Sequence, residues 1–150
     1  PQSAFILNLG LESLHIRMAR HCENGQAVAE YLQNHPKIAW VRYSGLPGDP
    51  YYAVAQKYLP KGSCGVVSFG VKGGRQAAET FMGRLRLGAI ATHVADARTC
   101  CLHPASSTHR QMNDAELEAA GVSADLVRLS VGLESKEDLI ADLEQALSAV

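Results

Sequence analysis

The amino-acid sequence predicts an α/β fold in which one sheet carries helices on one of its faces. Two observations lead to this prediction. After a long first helix, strands and helices alternate along the chain, and each clear strand has one apolar face and one mixed face. Such a sheet is covered by helices on its apolar side and by another domain or water on the other side. With 150 residues, the chain is long enough for one domain with a sizeable core.

The first half of the chain predicts a long helix, two strands and a short helix between them. Apolar residues from about Ser3 to Asn34 keep close to a three–four spacing, and Pro36 disfavours helix before it. A helix of this length in so short a chain is typical of one that runs along a neighbouring domain. Ile38 to Ser44 and Cys64 to Val71 are the predicted strands, and Tyr51 to Leu59 is the short helix between them.

The second half predicts further short elements separated by turns. Gly73 and Gly74 form a turn, and Gly121 is suited to the position just after a helix. The predicted elements are a helix over Arg75 to Leu85, a short strand within Leu87 to Thr92, a strand over Thr99 to His103 and a short helix over Ala115 to Ala120.

The stretch from Asp125 to Ser135 is the most informative part of the chain. Alternating residues predict a strand, and the KEDLIADLEQAL segment after it has helical spacing with Ser135 as its N-cap. Arg128 is unusual in the middle of this strand, because a buried guanidinium is costly unless an anion meets it. Two interpretations stay open from these residues alone. Arg128 is either a surface arginine on a solvated sheet face or the anion-binding group of a site.

Composition argues against several classes of protein. The net charge is −1, so no basic field indicates a nucleic-acid partner, and no apolar run is long enough to cross a membrane. We find no signal peptide. The four cysteines form no CxxC pair, and we therefore expect a reduced, cytoplasmic protein. The chain begins without methionine, which suggests a processed chain or a piece of a longer protein.

The metal-binding residue types at Cys100, Cys101, His103 and His109 do not predict a metal site. Adjacent residues of a strand point to opposite faces, so Cys100 and Cys101 are poorly placed to bind one ion. The alternative is that one cysteine lies in the core and that His103 ends the strand.

The loop HPASSTH, from His103 to His109, is rich in polar groups. It could orient a bound ligand, or its hydroxyls could satisfy the backbone of the turn itself. The glycines form neither a phosphate-binding loop nor a nucleophile elbow.

Three stretches together resemble one known family. HCENGQAVAEYLQNHPKIAWVRYSGLPGDPYYAVAQKYLPKG, DARTCCLHPASSTH and DLVRLSVGLES are similar to the C-terminal domain of the pyridoxal-phosphate enzymes of cysteine and methionine metabolism. The resemblance covers essentially the whole chain, so residues 1–150 are expected to form one domain. It implies the small domain of fold-type I enzymes, an α+β domain with a mostly antiparallel sheet, helices on one face and a long N-terminal helix.

The resemblance implies roles for two residues. Arg128 matches the arginine that pairs with the α-carboxylate of the substrate, and Thr99 matches a Ser/Thr position beside that carboxylate, where the backbone helps to hold the substrate. Three positions near this site depart from the family pattern. Cys100 stands where leucine is usual, Ala95 where glycine is usual, and His93 where asparagine or serine is usual.

The cofactor implied by the resemblance is pyridoxal phosphate, bound mainly by an N-terminal domain that this chain lacks. The family's Schiff-base lysine lies in a Ser-x-[Ser/Thr]-Lys segment, and none of the lysines here does. We therefore expect no catalytic, cofactor-binding or metal-binding residue in this chain, and no activity from it alone. The implied partners are its own N-terminal domain, further copies in a homo-oligomer and a small-molecule substrate, with neither nucleic acid nor membrane.

Within the family, the basic Arg98 in DARTC favours the O-acetylhomoserine sulfhydrylases. Those enzymes exchange the acetate of O-acetylhomoserine for sulfide or a thiol, which gives homocysteine or methionine. Three alternatives stay open: a domain of a methionine gamma-lyase, a domain of a cystathionine gamma-synthase, or a non-catalytic module that serves assembly.

Overall fold

The structure is a computed structural model that describes all 150 residues, and it confirms the predicted fold class. The helices are α1 (Gln2–Glu12), α2 (Leu14–Gln33), α3 (Tyr52–Tyr58), α4 (Gly74–Arg84), α5 (Asp114–Ala119) and α6 (Lys136–Leu147), with a 3₁₀ turn at Pro104–Ser106. The strands are β1 (Ile38–Arg42), β2 (Val66–Val71), β3 (Ala89–Ile90), β4 (Cys100–Leu102) and β5 (Leu126–Ser130).

One five-stranded sheet has the order β1-β2-β5-β4-β3. Its neighbours pair antiparallel except β3 and β4, which pair parallel, so the expectation of a mostly antiparallel sheet is confirmed. Strand β5 lies at the centre, where Arg128 is opposite Ser68 of β2 on one side and Leu102 of β4 on the other.

The core lies between the apolar face of the sheet and helices α2, α4 and α6. Val127 and Leu129 of β5, and Val131 directly after it, alternate along the chain and are at most 2% exposed, as their spacing predicts. Phe69 of β2 meets Phe81 of α4 edge to face, with ring centroids 5.7 Å apart. All three helices lie on this face, which leaves the mixed face of the sheet open.

The prediction of one long first helix was wrong, because the chain forms two helices that meet at Ser13. Ser13 has φ −104° and ψ 3°, outside the helical region. Arg17 stabilises the break, since its guanidinium donates to the carbonyl of Gly10 and its Nε donates to Ser13 Oγ at 3.2 Å. A three–four spacing of apolar residues continues across such a break and cannot reveal it.

Two helix ends follow the predicted chemistry. The side chain of Ser135 accepts a hydrogen bond from the Asp138 N–H at 3.2 Å, which caps α6. Gly121 has φ +73° directly after α5, and the N–H of Val122 donates to Leu117 O at 2.9 Å. This is the 6→1 bond of a Schellman motif, and the left-handed position favours glycine.

Helix α1 presents its apolar side chains to the outside. None of its residues is buried, and Phe5 and Leu7 are 67% and 68% exposed. An apolar surface of this kind is typical of an interface. None of the six helices combines the length and apolar composition that a bilayer crossing requires.

Candidate functional site

Arg128 occupies the centre of the open, mixed face of the sheet. Its side chain is half-buried, and its Nη2 donates to the carbonyl of Thr92 at 2.8 Å. The Nε atom is buried and has no hydrogen-bond partner. A buried donor left without a partner costs about 1 to 3 kcal/mol, which an anion bound at the guanidinium would recover. The anion-binding interpretation of Arg128 stays a prediction, and the Nε without a partner agrees with it.

The segment from Thr92 to Arg98 lies in the loop between β3 and β4, and it contacts Arg128 through the Thr92 carbonyl. It turns at Ala95, the one residue other than glycine with a positive φ, at +59°. Asp96 accepts a hydrogen bond from the Arg98 N–H at 3.0 Å, and its other oxygen lies 3.2 Å from His93 Nδ1. The Arg98 N–H first, and His93 second, hold the pKa of Asp96 below its usual value.

Thr99 and Glu134 connect this segment to the end of the central strand. The Glu134 carboxylate accepts from the backbone N–H of Thr99 at 2.7 Å and from its hydroxyl at 2.9 Å. The hydroxyl oxygen of Thr99 in turn accepts from the Gly132 N–H at 2.8 Å. These three bonds join the loop before β4 to the loop after β5, and both loops flank Arg128.

Thr99 lies outside β4, which is shorter than the strand predicted over Thr99 to His103. It precedes β4, is 2% exposed, and its carbonyl accepts from the Ala89 N–H at 2.9 Å. Its N–H, carbonyl and hydroxyl thus all have partners within the chain. A direct bond to a substrate through the Thr99 N–H would require the bond to Glu134 to break, so its binding role stays a prediction.

Asn24 and Gly132 complete the support, and sequence reasoning assigned a role to neither. The Asn24 side chain donates to the carbonyls of Gly132 at 3.0 Å and Glu134 at 2.8 Å. A Cβ atom at Gly132 would lie 2.4 Å from Glu134 Oε2 and 2.5 Å from the Thr99 nitrogen. Only glycine fits there. The available signal was the segment DLVRLSVGLES, in which the sequence analysis gave a binding role to Arg128 alone.

The polar loop after β4 satisfies itself. His103 Nε2 lies 2.9 Å from the carbonyl of Ala124 and therefore donates, while Nδ1 lies 2.8 Å from Ser106 Oγ. Ser107 donates to the His103 carbonyl at 2.6 Å, and Thr108 bonds its neighbour His109. Of the two interpretations of this loop, the structure supports the self-bonded turn.

The four residues considered for a metal do not come together. Cys101 points into the core, 3.2 Å from Met82 Sδ, and burial raises the pKa of its thiol. Cys100 points to the opposite face, the one that carries Arg128. A different set does assemble there: donor atoms of His93, Asp96 and Cys100 all lie within 4.8 Å of one another.

The chain's lysines do not fit a covalent attachment site for pyridoxal phosphate beside Arg128. Lys37 Nζ donates to the carbonyl of Leu147 at 2.9 Å, and Lys72 donates to the carbonyl of Pro36 at 2.6 Å. Lys57 lies over the ring of Tyr58, and Lys136 lies 3.9 Å from Glu23. The fifth lysine, Lys61, is exposed in the turn after α3. The residues at the site fit an anion such as a carboxylate and offer no amine to the cofactor's aldehyde.

Comparison with known proteins identifies the family to which the chain is similar. The model of the Cys/Met metabolism PLP-dependent enzyme family matches residues 1–148. O-acetyl-L-homoserine sulfhydrylase 1 of Thermus thermophilus is 47% identical over 148 residues, which is 99% of this chain and 35% of that protein. An L-methionine gamma-lyase of Fusobacterium nucleatum is 45% identical over 150 residues, or 100% of this chain and 38% of that protein.

A solved structure is similar over the same extent. It is a putative O-acetylhomoserine (thiol)-lyase of Campylobacter jejuni that contains N′-pyridoxyl-lysine-5′-monophosphate. The TM-score is 0.91 at 38% identity, over 99% of this chain and 35% of that one. The chain therefore spans about a third of the length of the relatives it matches.

Proposed function

Because this chain belongs to the family of PLP-dependent enzymes of cysteine and methionine metabolism, we propose that it binds the α-carboxylate of an amino-acid substrate through Arg128. The observation that carries the proposal is the half-buried guanidinium at the centre of the open face, whose Nε has no partner. The planar fork of arginine suits both oxygens of a carboxylate.

The surroundings of Arg128 suit a positioning role. The carbonyl of Thr92 fixes one corner of the guanidinium, and the bonds between Thr99 and Glu134 hold the two flanking loops. A carboxylate held at two oxygens leaves the amino acid little rotational freedom, so its α-proton points in one direction. Positioning of this kind contributes to rate by removing the entropic cost of orienting the reactants.

Pyridoxal phosphate, when bound, supplies the electron sink for negative charge that develops at the substrate's α-carbon. In the proposed enzyme, the lysine that binds the cofactor and the groups that bind its phosphate lie in a further domain. That domain corresponds to the part of the relatives that this chain does not match. Arg128 then contributes orientation and charge at the carboxylate end of the substrate. By this division of roles, the chain alone has no turnover.

For the reaction, we favour exchange of the acetate of O-acetylhomoserine for sulfide or a thiol. Relatives named as O-acetyl-L-homoserine sulfhydrylases and as a homocysteine synthase, at 44–47% identity, support this assignment. Elimination from methionine is the second candidate, because relatives named as L-methionine gamma-lyases reach 43–45% identity over the whole chain. Product analysis with O-acetylhomoserine plus sulfide, compared with methionine alone, separates the two.

The exposed side chains of α1 support a further part of the proposal. In the whole protein, this helix packs against the remaining part of the chain or against a second copy in a homo-oligomer. Phe5 and Leu7 would then be covered rather than facing water.

The test of the carboxylate role is Arg128→Lys in the full-length enzyme. Lysine keeps the positive charge but loses the two-pronged geometry, so the KM for the amino-acid substrate should rise about tenfold or more. An Arg42→Lys variant is the matched control, because Arg42 lies on the same face two strands away. A KM for Arg128→Lys equal to that of the control would remove the carboxylate role.

A further inference from the structure

Three side chains that can bind a metal meet beside Arg128. The His93 ring, the Asp96 carboxylate and the Cys100 thiol each offer one ligand atom, and these atoms lie within 4.8 Å of one another. His93 Nδ1 is 3.2 Å from Asp96 Oδ2. Cys100 is 2% exposed, whereas the His93 side chain is 60% exposed, so the group extends from the protein interior to solvent.

We infer that His93, Asp96 and Cys100 form a binding site for a divalent cation of the zinc type. Nitrogen, oxygen and sulfur are the donor atoms that zinc accepts, at roughly 2.0–2.3 Å. Tetrahedral geometry then requires ligand atoms about 3.3–3.8 Å apart. The ligand atoms here lie within 4.8 Å of one another, so a movement of about 1 Å brings the most distant pair into that range. The presence of a thiol favours zinc over magnesium or calcium, and three protein ligands leave a fourth position open.

Two of the three ligands stand at positions where this sequence is expected to depart from the pattern of the family that it resembles. By the resemblance described above, His93 stands where asparagine or serine is usual, and Cys100 stands where leucine is usual. Two of the three ligands are thus departures, and both are residues that bind zinc. The left-handed turn at Ala95 brings Asp96 back towards His93.

Arg98 is the cation that competes for this position. Its Nε lies 3.8 Å from Asp96 Oδ1, and its side chain is 73% exposed. An exposed ion pair of this kind is weak, so the guanidinium can move into solvent when a cation binds. The backbone N–H of Arg98 keeps its bond to Asp96 and continues to orient the carboxylate.

A bound cation would fix the segment that supports Arg128. Thr92, whose carbonyl accepts from Arg128, directly precedes His93, and Thr99 directly precedes Cys100. The cation would therefore cross-link the segment between Thr92 and Thr99, both of which already form hydrogen bonds to neighbouring residues. The expected consequence is a rise in the melting temperature of the chain with zinc, because a ligand that binds the folded state stabilises it.

The test is a titration of the reduced, metal-free chain with Co²⁺, a zinc substitute with a visible spectrum. One equivalent should bind, with a sulfur-to-cobalt charge-transfer band that Zn²⁺ abolishes. Cys100→Leu should remove the band, and His93→Asn should weaken binding at least tenfold. Leucine is the residue that the family resemblance leads one to expect at position 100, so the Cys100→Leu variant is expected to fold. Circular dichroism checks that it does.

Cys101→Ser is the matched control, because the neighbouring thiol points into the core and should leave the cobalt band unchanged. Cys22→Ser, on α2 and beside Gly62, is a second control should the first variant unfold. The inference is overturned if no charge-transfer band forms. It is also overturned if the band persists in Cys100→Leu, or disappears in a folded Cys22→Ser variant. Because the readout is a spectrum, none of these results depends on the proposed enzyme reaction.

Discussion

Glu134 is the residue on which the support of Arg128 depends most. It accepts two hydrogen bonds from Thr99, at 2.7 and 2.9 Å, and its own carbonyl is held by Asn24. Sequence reasoning assigned it no role, because a glutamate in a loop before a helix is ordinary at the level of sequence. Its importance arises from a contact between residues 35 positions apart.

We predict that Glu134→Gln lowers the free energy of unfolding by about 1 to 3 kcal/mol, since hydrogen bonds to a charged acceptor are lost or weakened. Urea denaturation of the purified chain measures the effect. Glu79→Gln is the control, because Glu79 is exposed on α4 and should change stability by less than about 0.5 kcal/mol. Equal effects of the two substitutions would contradict the role given to Glu134.

Ala95 is a second residue at which local structure can be tested. Its φ of +59° is costly for alanine and ordinary for glycine, the residue that the resemblance leads one to expect there. Ala95→Gly should therefore raise stability, by up to about 1 kcal/mol. Ala97→Gly, two residues later at negative φ, should lower it or leave it unchanged. Thermal unfolding of both variants measures the difference, and a loss of stability in Ala95→Gly would refute a left-handed turn here.

At the scale of elements, Asp142 connects α6 to the turn that leads into β3. It is 8% exposed, and its carboxylate accepts from the backbone N–H groups of Arg86, Leu87 and Gly88, each at 2.9 Å. Burial alone would raise the pKa of Asp142. The hydrogen bonds from Gly88, Arg86 and Leu87 outweigh burial and lower it.

A lowered pKa in the folded state means that Asp142 stabilises the fold when ionised. That contribution is present above the unfolded value of 3.8 and is lost as pH falls through the lower, folded value. Asp142→Asn should lower stability at pH 7 by about 1 to 3 kcal/mol and flatten the acid side of the pH–stability profile. Unfolding by urea from pH 7 to pH 2 checks this. A variant that loses stability in parallel with the original chain below pH 4 would contradict it.

The elements also show what periodicity can and cannot predict. The strand around Arg128, the cap at Ser135 and the turn at Gly121 are local patterns, and each formed where the sequence predicted it. The break between α1 and α2 was missed because it depends on Arg17, which bonds both Gly10 and Ser13. A side chain reaching back over a turn leaves no trace in the spacing of apolar residues.

For the whole molecule, the fold was predictable because its sheet has one clearly apolar face. Val127, Leu129 and Val131 required helices over them, and α2, α4 and α6 supply these. The site was predictable only in part. Arg128 stood out by its charge in a strand, whereas Asn24 and Glu134 act through contacts with residues distant in sequence.

The measurement that tests the central claim most directly compares two inhibitors of the full-length enzyme. One is a substrate analogue with a free α-carboxylate, and the other is the same compound with a primary carboxamide in its place. The original enzyme should bind the carboxylate form at least tenfold more tightly, because hydrogen bonds to charged groups contribute about 1.5 to 3 kcal/mol.

In an Arg128→Gln variant, that preference should shrink to about twofold or less, because the group that distinguishes the two compounds is gone. The loss of preference, rather than of affinity alone, separates recognition by Arg128 from a general disturbance of the site. A variant that keeps the full preference for the carboxylate would show that another group binds the substrate there, and the account of Arg128 would be wrong.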